Sequence, residues 1–219
     1  PICLAENHYY LLSGAVAELH DFDWLVQHVE PDEDVKVVNV TDEFGVLVVT
    51  GPRSRDVLES LTEAGLKNED GFTWMQSREI SVAGIAVRAL RVSYVGELGW
   101  ELHCPIGQLA ELHDALMASG EAFGIRRFGT YAMNSLRMEK AYKGWGSELT
   151  TEISLVESDM TRFAKKSGGY IGSDVVEKKM RDGVPIHLVY CEVDADDADA
   201  SGYEPVWANG EMVGFVTSG

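Results

Sequence analysis

Tyr94 and Glu101 stand either side of Val95-Gly96-Glu97-Leu98-Gly99, a turn-like stretch inside an otherwise apolar region. If that turn reverses the chain, the two side chains are expected to approach each other across a hairpin. A carboxylate is a bidentate acceptor, and a tyrosine adds a ring face and a hydroxyl. Strand alternation puts Trp100, Leu102 and Cys104 on one face, and Glu101 and His103 on the other. Pattern alone favours an exposed glutamate on the wet side of a sheet, with a binding role as the competing reading.

Other residue types exclude chemistry more than they suggest it. Cys3, Cys104 and Cys191 are far apart and match no zinc or CxxC spacing. Their odd number points to free thiols in a reducing compartment. The run DADDADA (Asp194 to Ala200) lacks the spacing of a calcium loop and reads as solvated. No G-x-G-x-x-G dinucleotide fingerprint occurs. A net charge of -18 argues against nucleic acid or an anionic membrane as partner. No apolar run approaches the roughly 20 residues that span a bilayer, and no signal peptide is evident. With 45% hydrophobic and 25% charged residues, the composition is that of a globular protein.

The positioning elements follow from periodicity. Ile2 onward is strand-like, 8–13 (HYYLLS) reads as a strand, and 16–29 reads as an amphipathic helix with Leu19, Phe22, Leu25 and Val29 on one face. Residues 30–34, with Pro31, read as a linker. Strands are expected at 35–40 and 44–50, then a helix opening at Gly51-Pro52 with Val57, Leu58 and Leu61 inward. Residues 80–82 and 85–92 form a hairpin around Ala83-Gly84, 100–104 is a strand, and a helix carrying Leu109, Leu112, His113, Leu116 and Met117 ends near Gly120. A helix covers 131–141. Residues 186–193, 204–208 and 211–216 are short strands, the last two joined at Asn209-Gly210. The fold class expected is α+β: a ferredoxin-like split βαβ domain at 35–128, preceded by the end of an α+β domain (1–30). A helix and connector (129–155) and the start of a C-terminal β-barrel (156–219) follow. With no initiator Met, and strands at both ends, the chain is expected to be an internal piece of a longer protein.

Several segments, in order, resemble one family. RVSYVGELGWELHCP (Arg91 to Pro105) closely resembles the R-x-x-Y-x-G-E-x-G-F/W-E signature of the glycine cleavage T-protein (aminomethyltransferase) family. SLRMEK (Ser135 to Lys140) resembles its S-L-R-L-E helix, and GPRSRDVLESLT its G-P helix start. GGYIGSDVV (Gly168 to Val176) and EPVWANGEMVGFVTSG resemble its later segments. The resemblance implies tetrahydrofolate as cofactor. Tyr94 and Glu101 would then contact the pterin, whose 2-amino group and N3–H form a donor–donor edge that a carboxylate accepts. Arg137 would bind the benzoyl-glutamate end. Leu12 and Gly14 would line the pterin, and Tyr142 and Trp145 would wall the pocket, with core packing an equal reading for the last two. The family's catalytic aspartate is expected a few residues before the equivalent of Leu4, upstream of this chain. Asp21 and Asp23 belong to the next helix and do not replace it, so no catalytic residue is assigned within the chain.

Downstream of SLRMEK the text KAYKGWGSELTTEISLVES departs from the family's A-G-L-x-L-Y-G and looks like the folate domains of dimethylglycine and sarcosine dehydrogenases and oxidases, as does HDFDWL (His20 to Leu25). That branch implies a methylated-amine substrate, FAD in an upstream domain, and capture of the methylene unit as 5,10-methylenetetrahydrofolate. Enclosed transfer would keep an iminium from hydrolysing. Location in the cytoplasm, or in the mitochondrial matrix of a eukaryote, is expected; oligomeric state is left open. A stand-alone aminomethyltransferase, or a tetrahydrofolate-dependent demethylase acting on dimethylsulfoniopropionate, is the enzymatic alternative. The non-enzyme alternative is a folate-binding accessory or regulatory protein; accessory proteins of that kind carry K-G-C-Y-x-G-Q where this chain has SGGYIGSD.

Overall fold

The computed structural model describes residues 1–164 and 167–219. They divide into two compact units, Pro1–Leu136 and Arg137–Gly219. Mixed α and β structure is present, organised around a four-stranded antiparallel sheet in the first unit.

The sheet runs in the order β3-β6-β5-β4, from β3 (Phe44–Thr50), β4 (Ser77–Val82), β5 (Ile85–Leu90) and β6 (Gly99–Pro105). Every pairing is antiparallel, with Leu47 opposite Leu102 and Ala89 opposite Leu102. Ala83 (φ 52°) and Gly84 (φ 82°) both take the left-handed conformation that a two-residue hairpin turn requires. The alternation expected of β6 is present: Trp100, Leu102 and Cys104 are fully buried on one face. That face packs with Val57 and Leu58 of α2 (Ser54–Glu59) and with Leu112 and Leu116 of α3 (Leu109–Gly120) in one hydrophobic core.

Several expectations are corrected. Residues 35–40 form no strand, and Val35 and Val38 are exposed. Alternating valines suit a strand, but without a ladder partner their backbone groups gain nothing from extension. The three strands expected between α2 and α3 are present, so the order in this unit is strand–helix–strand–strand–strand–helix, one strand more than the split βαβ order. The 83–84 turn and the 91–98 loop both reverse the chain, which makes β4, β5 and β6 an antiparallel meander. The N-terminal hairpin pairs β1 (Ile2–Ala5) with β2 (His8–Tyr10), so the second strand is shorter than 8–13. Helix α1 (Glu18–Gln27) buries none of its residues, and Leu19 is 75% exposed on the stripe expected to face inward.

In the second unit, α4 (Thr130–Met138), which begins in the first, gives way to a turn with Ala141 at φ 53°. Helix α5 (Ser173–Asp182) follows Gly172 and stops at Gly183, whose φ of 85° with ψ of 174° is open to glycine and breaks the helical path. Helix α5 is absent from the expectations above: its composition is strongly polar and none of its residues is buried, although Val175, Val176 and Met180 recur at helical spacing. The strands β7 (Pro205–Ala208) and β8 (Glu211–Phe215) pair across Asn209-Gly210 as expected. Residues 186–193 form no strand, and among the described residues of this unit β7 and β8 make a two-stranded ribbon. Among the described residues, no helix is long and apolar enough to cross a membrane.

Candidate functional site

The second face of the sheet carries Glu101. In register beside it are Val48 on β3, 46% exposed, and Leu90 on β5, buried. The Glu101 side chain keeps about a quarter of its surface exposed (26%) between these apolar neighbours. Its one recorded polar contact among the described residues is His103 Nε2, 3.5 Å from Oε2. That distance is within ion-pair reach but makes no hydrogen bond, and His103 Nε2 is buried without a hydrogen-bond partner among the described residues. The carboxylate thus retains acceptor capacity where its surroundings are mostly apolar.

His103 is held from the other side. Its Nδ1 lies 3.1 Å from the Tyr10 hydroxyl, a link over 93 residues of sequence. The Tyr10 ring meets His103 edge-on at 5.6 Å between centroids, and the Arg88 guanidinium covers it at 4.5 Å. Arg88 sits opposite His103 on β5 and donates from Nε to Glu79 at 2.6 Å. Burial pushes the Tyr10 hydroxyl above its usual pKa; Arg88 opposes that and Glu101 adds to it. Sequence reasoning placed His103 on the face of Glu101 but did not single it out, and it missed Tyr10 and Arg88. The alternation signal contained the first of these; nothing local announces the other two.

Tyr94 lies in the 91–98 loop, outside the ladder, and is 38% exposed. The loop does reverse the chain, but the residue opposite Glu101 in the hairpin is Leu90, not Tyr94. The other signature residues support the turn. Arg91 donates to the Phe72 carbonyl at 2.8 Å and to Asn68, and lies over the Trp100 ring at 5.8 Å. Burial, then the nearby Arg55, pulls its pKa down. Gly99 admits no larger residue easily: a Cβ there would stand 3.0 Å from Thr50 Oγ1 and 3.1 Å from the Val49 carbonyl. Leu12 is exposed at 46%, and Gly14 is also exposed, both in the segment after β2.

In the second unit Arg137 is buried at 4% exposure. Nη1 donates to the Tyr142 carbonyl (2.9 Å) and to Glu148 Oε2 (3.0 Å), and Nη2 donates to Ser218 Oγ (2.6 Å). Glu148 also accepts from the Gly144 N–H at 2.7 Å, Ser147 Oγ at 3.0 Å and Ser218 Oγ at 2.5 Å. Gly144 is needed by this closeness, since a Cβ would fall 2.9 Å from Ser147 Oγ. Burial on its own would raise the Glu148 carboxyl; hydrogen bonds from Ser218, Gly144, Thr217 and Ser147 outweigh it and hold the pKa at about 2. Tyr142 and Trp145 belong to the same loop; Trp145 is 42% exposed and bridges to Leu149. Glu148 and Ser218 were missed from sequence, where a glutamate inside KGWGSEL carries no mark of burial.

The model of the family described as GCVT N-terminal domain matches residues 2–168. Human mitochondrial dimethylglycine dehydrogenase is 41% identical over 97% of this chain and 25% of its own length. Mouse mitochondrial sarcosine dehydrogenase is 33% identical over 95% of the chain and 23% of its own. An aminomethyltransferase of Geobacillus sp. (strain WCH70) is 32% identical over 98% and 58%. This chain therefore spans about a quarter of the dehydrogenases it matches. A crystal structure of glycine cleavage system aminomethyltransferase T from Bartonella henselae superposes with a TM-score of 0.68 at 22% identity, covering 92% of this chain and 54% of that one, a likeness of fold.

Proposed function

Since the chain belongs to the GCVT N-terminal domain family, we propose that it is the tetrahydrofolate-binding part of a one-carbon-transfer enzyme of the dimethylglycine/sarcosine dehydrogenase type. The observation that carries the reading is Glu101, a partly exposed carboxylate with unused acceptor capacity between the apolar side chains of Val48 and Leu90. Such a group suits a planar donor–donor edge such as the pterin 2-amino and N3–H pair, because two charge-assisted hydrogen bonds offset its desolvation. Tyr94 contributes ring and hydroxyl from the neighbouring loop, and Leu12 and Gly14 line the pterin with side chain and backbone.

Tetrahydrofolate, when bound, supplies the amine nitrogen that takes up the one-carbon unit. The chain's own residues bind and orient: Glu101 fixes the pterin edge, with the apolar side chains of Val48 and Leu90 on either side of it. Arg137 enters more narrowly. Its guanidinium already holds Glu148, the Tyr142 carbonyl and Ser218, so any contact with the benzoyl-glutamate end would be made alongside that pair. Tyr142 and Trp145 belong to the loop this pair shapes. The substrate proposed for the full-length protein is a methylated amine oxidised in a separate flavin domain. The higher identity to dimethylglycine dehydrogenase than to the aminomethyltransferase supports this over a stand-alone transferase, and the flavin content of the full-length protein separates the two.

Titrating tetrahydrofolate into the full-length protein and its Glu101→Gln variant tests the reading. Loss of a charge-assisted bidentate contact is expected to weaken binding about tenfold or more, roughly 1.5 kcal/mol. Equal affinities in the two proteins would sink the pterin assignment.

A further inference from the structure

The residues that face Glu101 carry a further assignment, which rests on the pterin reading above. We propose that His103 is a positioning residue that Tyr10 holds with an N–H at Nε2, aimed at Glu101, so that the carboxylate is fixed in place to receive the pterin.

The tautomer follows from the two neighbours. Nδ1 is 3.1 Å from the Tyr10 hydroxyl, and Nε2 is 3.5 Å from Glu101 Oε2. If Nδ1 carried the only ring proton, a lone pair at Nε2 would face a carboxylate oxygen inside the protein, and an acceptor would be orphaned against another acceptor. If the Tyr10 O–H donates to Nδ1, the ring proton sits at Nε2 and points at the carboxylate. A doubly protonated ring gives the same N–H at Nε2. Every favourable arrangement therefore makes His103 a donor to Glu101.

The surroundings leave that task to His103. The charged and titratable groups on this face are Glu101 itself, Arg88 and Glu79 on β5 and β4, and Tyr10 on β2. Arg88 is engaged by Glu79 through Nε and by the Tyr10 ring through its guanidinium. His103 is 2% exposed and pinned by strand register as well as by Tyr10, so its ring has little freedom. The carboxylate beside it is less enclosed, with 26% of the Glu101 side chain exposed. A turn of the Glu101 side chain would bring Oε2 from 3.5 Å into hydrogen-bond distance of Nε2, and a carboxylate has acceptor sites enough for His103 and a bidentate ligand together.

The test is a set of tetrahydrofolate titrations on the full-length protein: wild type, Glu101→Gln, His103→Leu, His103→Gln, Tyr10→Phe, and the double variants Glu101→Gln/His103→Leu and Glu101→Gln/Tyr10→Phe. His103→Leu is expected to weaken binding about tenfold, as loss of a hydrogen bond to a charged group does. His103→Gln, whose amide N–H takes the place of Nε2–H, is expected to recover binding to within about threefold of wild type. In the Glu101→Gln background His103→Leu should cost little more, because a residue acting only through Glu101 is non-additive with it. Equal cost in both backgrounds, or His103→Gln no better than His103→Leu, overturns the proposal and leaves the pterin reading standing. Wild-type affinity in Glu101→Gln overturns the pterin reading and this inference with it. Should His103→Leu not fold, the Tyr10→Phe and Glu101→Gln pair decides by the same non-additivity.

Discussion

Trp100→Ala is expected to destabilise the protein by about 3–5 kcal/mol, the range for truncating a fully buried tryptophan. Trp100 is completely buried, and its ring meets Phe72 edge-on at 6.4 Å. The Arg55 and Arg91 guanidinium groups lie at 5.9 and 5.8 Å from its ring centroid. Truncation opens a cavity under α2 and removes the aromatic face that two partly covered cations share. Trp100→Phe is expected to cost far less, within about 1.5 kcal/mol of wild type. The indole Nε1 is buried without a hydrogen-bond partner among the described residues, so removing it relieves an unsatisfied donor that costs about 1–3 kcal/mol. The signature resembled by this stretch accepts Phe or Trp at that position, in keeping with a ring needed for its faces rather than its N–H. Urea unfolding at neutral pH measures both variants; a Phe variant as unstable as the Ala variant would show that the indole nitrogen has a role this packing does not reveal.

What the sequence made legible was local. The 83–84 hairpin, the alternation along β6 and the ribbon turned at Asn209-Gly210 depend on neighbouring residues and turn chemistry, and they are where expected. Residues 35–40 and 186–193 have the composition of strands and are not strands. A strand exists only with a partner, and partner choice is not written in either segment. The candidate site divides the same way. Glu101 sits on the face that alternation assigned, but its neighbours across the sheet were set by register, which puts Leu90 opposite it and leaves Tyr94 in the loop. Tyr10 reaches His103 from 93 residues away, and Ser218 reaches Glu148 from 70. Side-chain pairs over such distances leave no periodic trace, so the polar network behind Glu101 and the carboxylate behind Arg137 emerge only from the folded chain.

Arg137→Met is expected to destabilise the second unit by about 3–5 kcal/mol at neutral pH, because it leaves the carboxylate of Glu148 buried without its cation. Both side chains of the pair are about 5% exposed, so water cannot take over the lost interaction. Arg137→Met/Glu148→Gln is expected to regain much of the loss, since a buried ion pair removed whole also removes its desolvation cost. The pH dependence has a definite sign. The Glu148 carboxyl titrates at about 2 when folded, against 4.5 when free, so the folded state binds its proton more weakly than the unfolded state. Its contribution, on the order of 3 kcal/mol by that difference, is fully present above about 4.5. It is lost progressively as the pH falls from there through about 2. Glu148→Gln, which carries no titrating group at that position, should therefore flatten the acid limb of the stability curve between those values. Denaturant unfolding from pH 7 down to pH 2 distinguishes the cases: an acid limb unchanged by Glu148→Gln would mean that other carboxylates set the acid sensitivity and that the Arg137–Glu148 pair adds little to it.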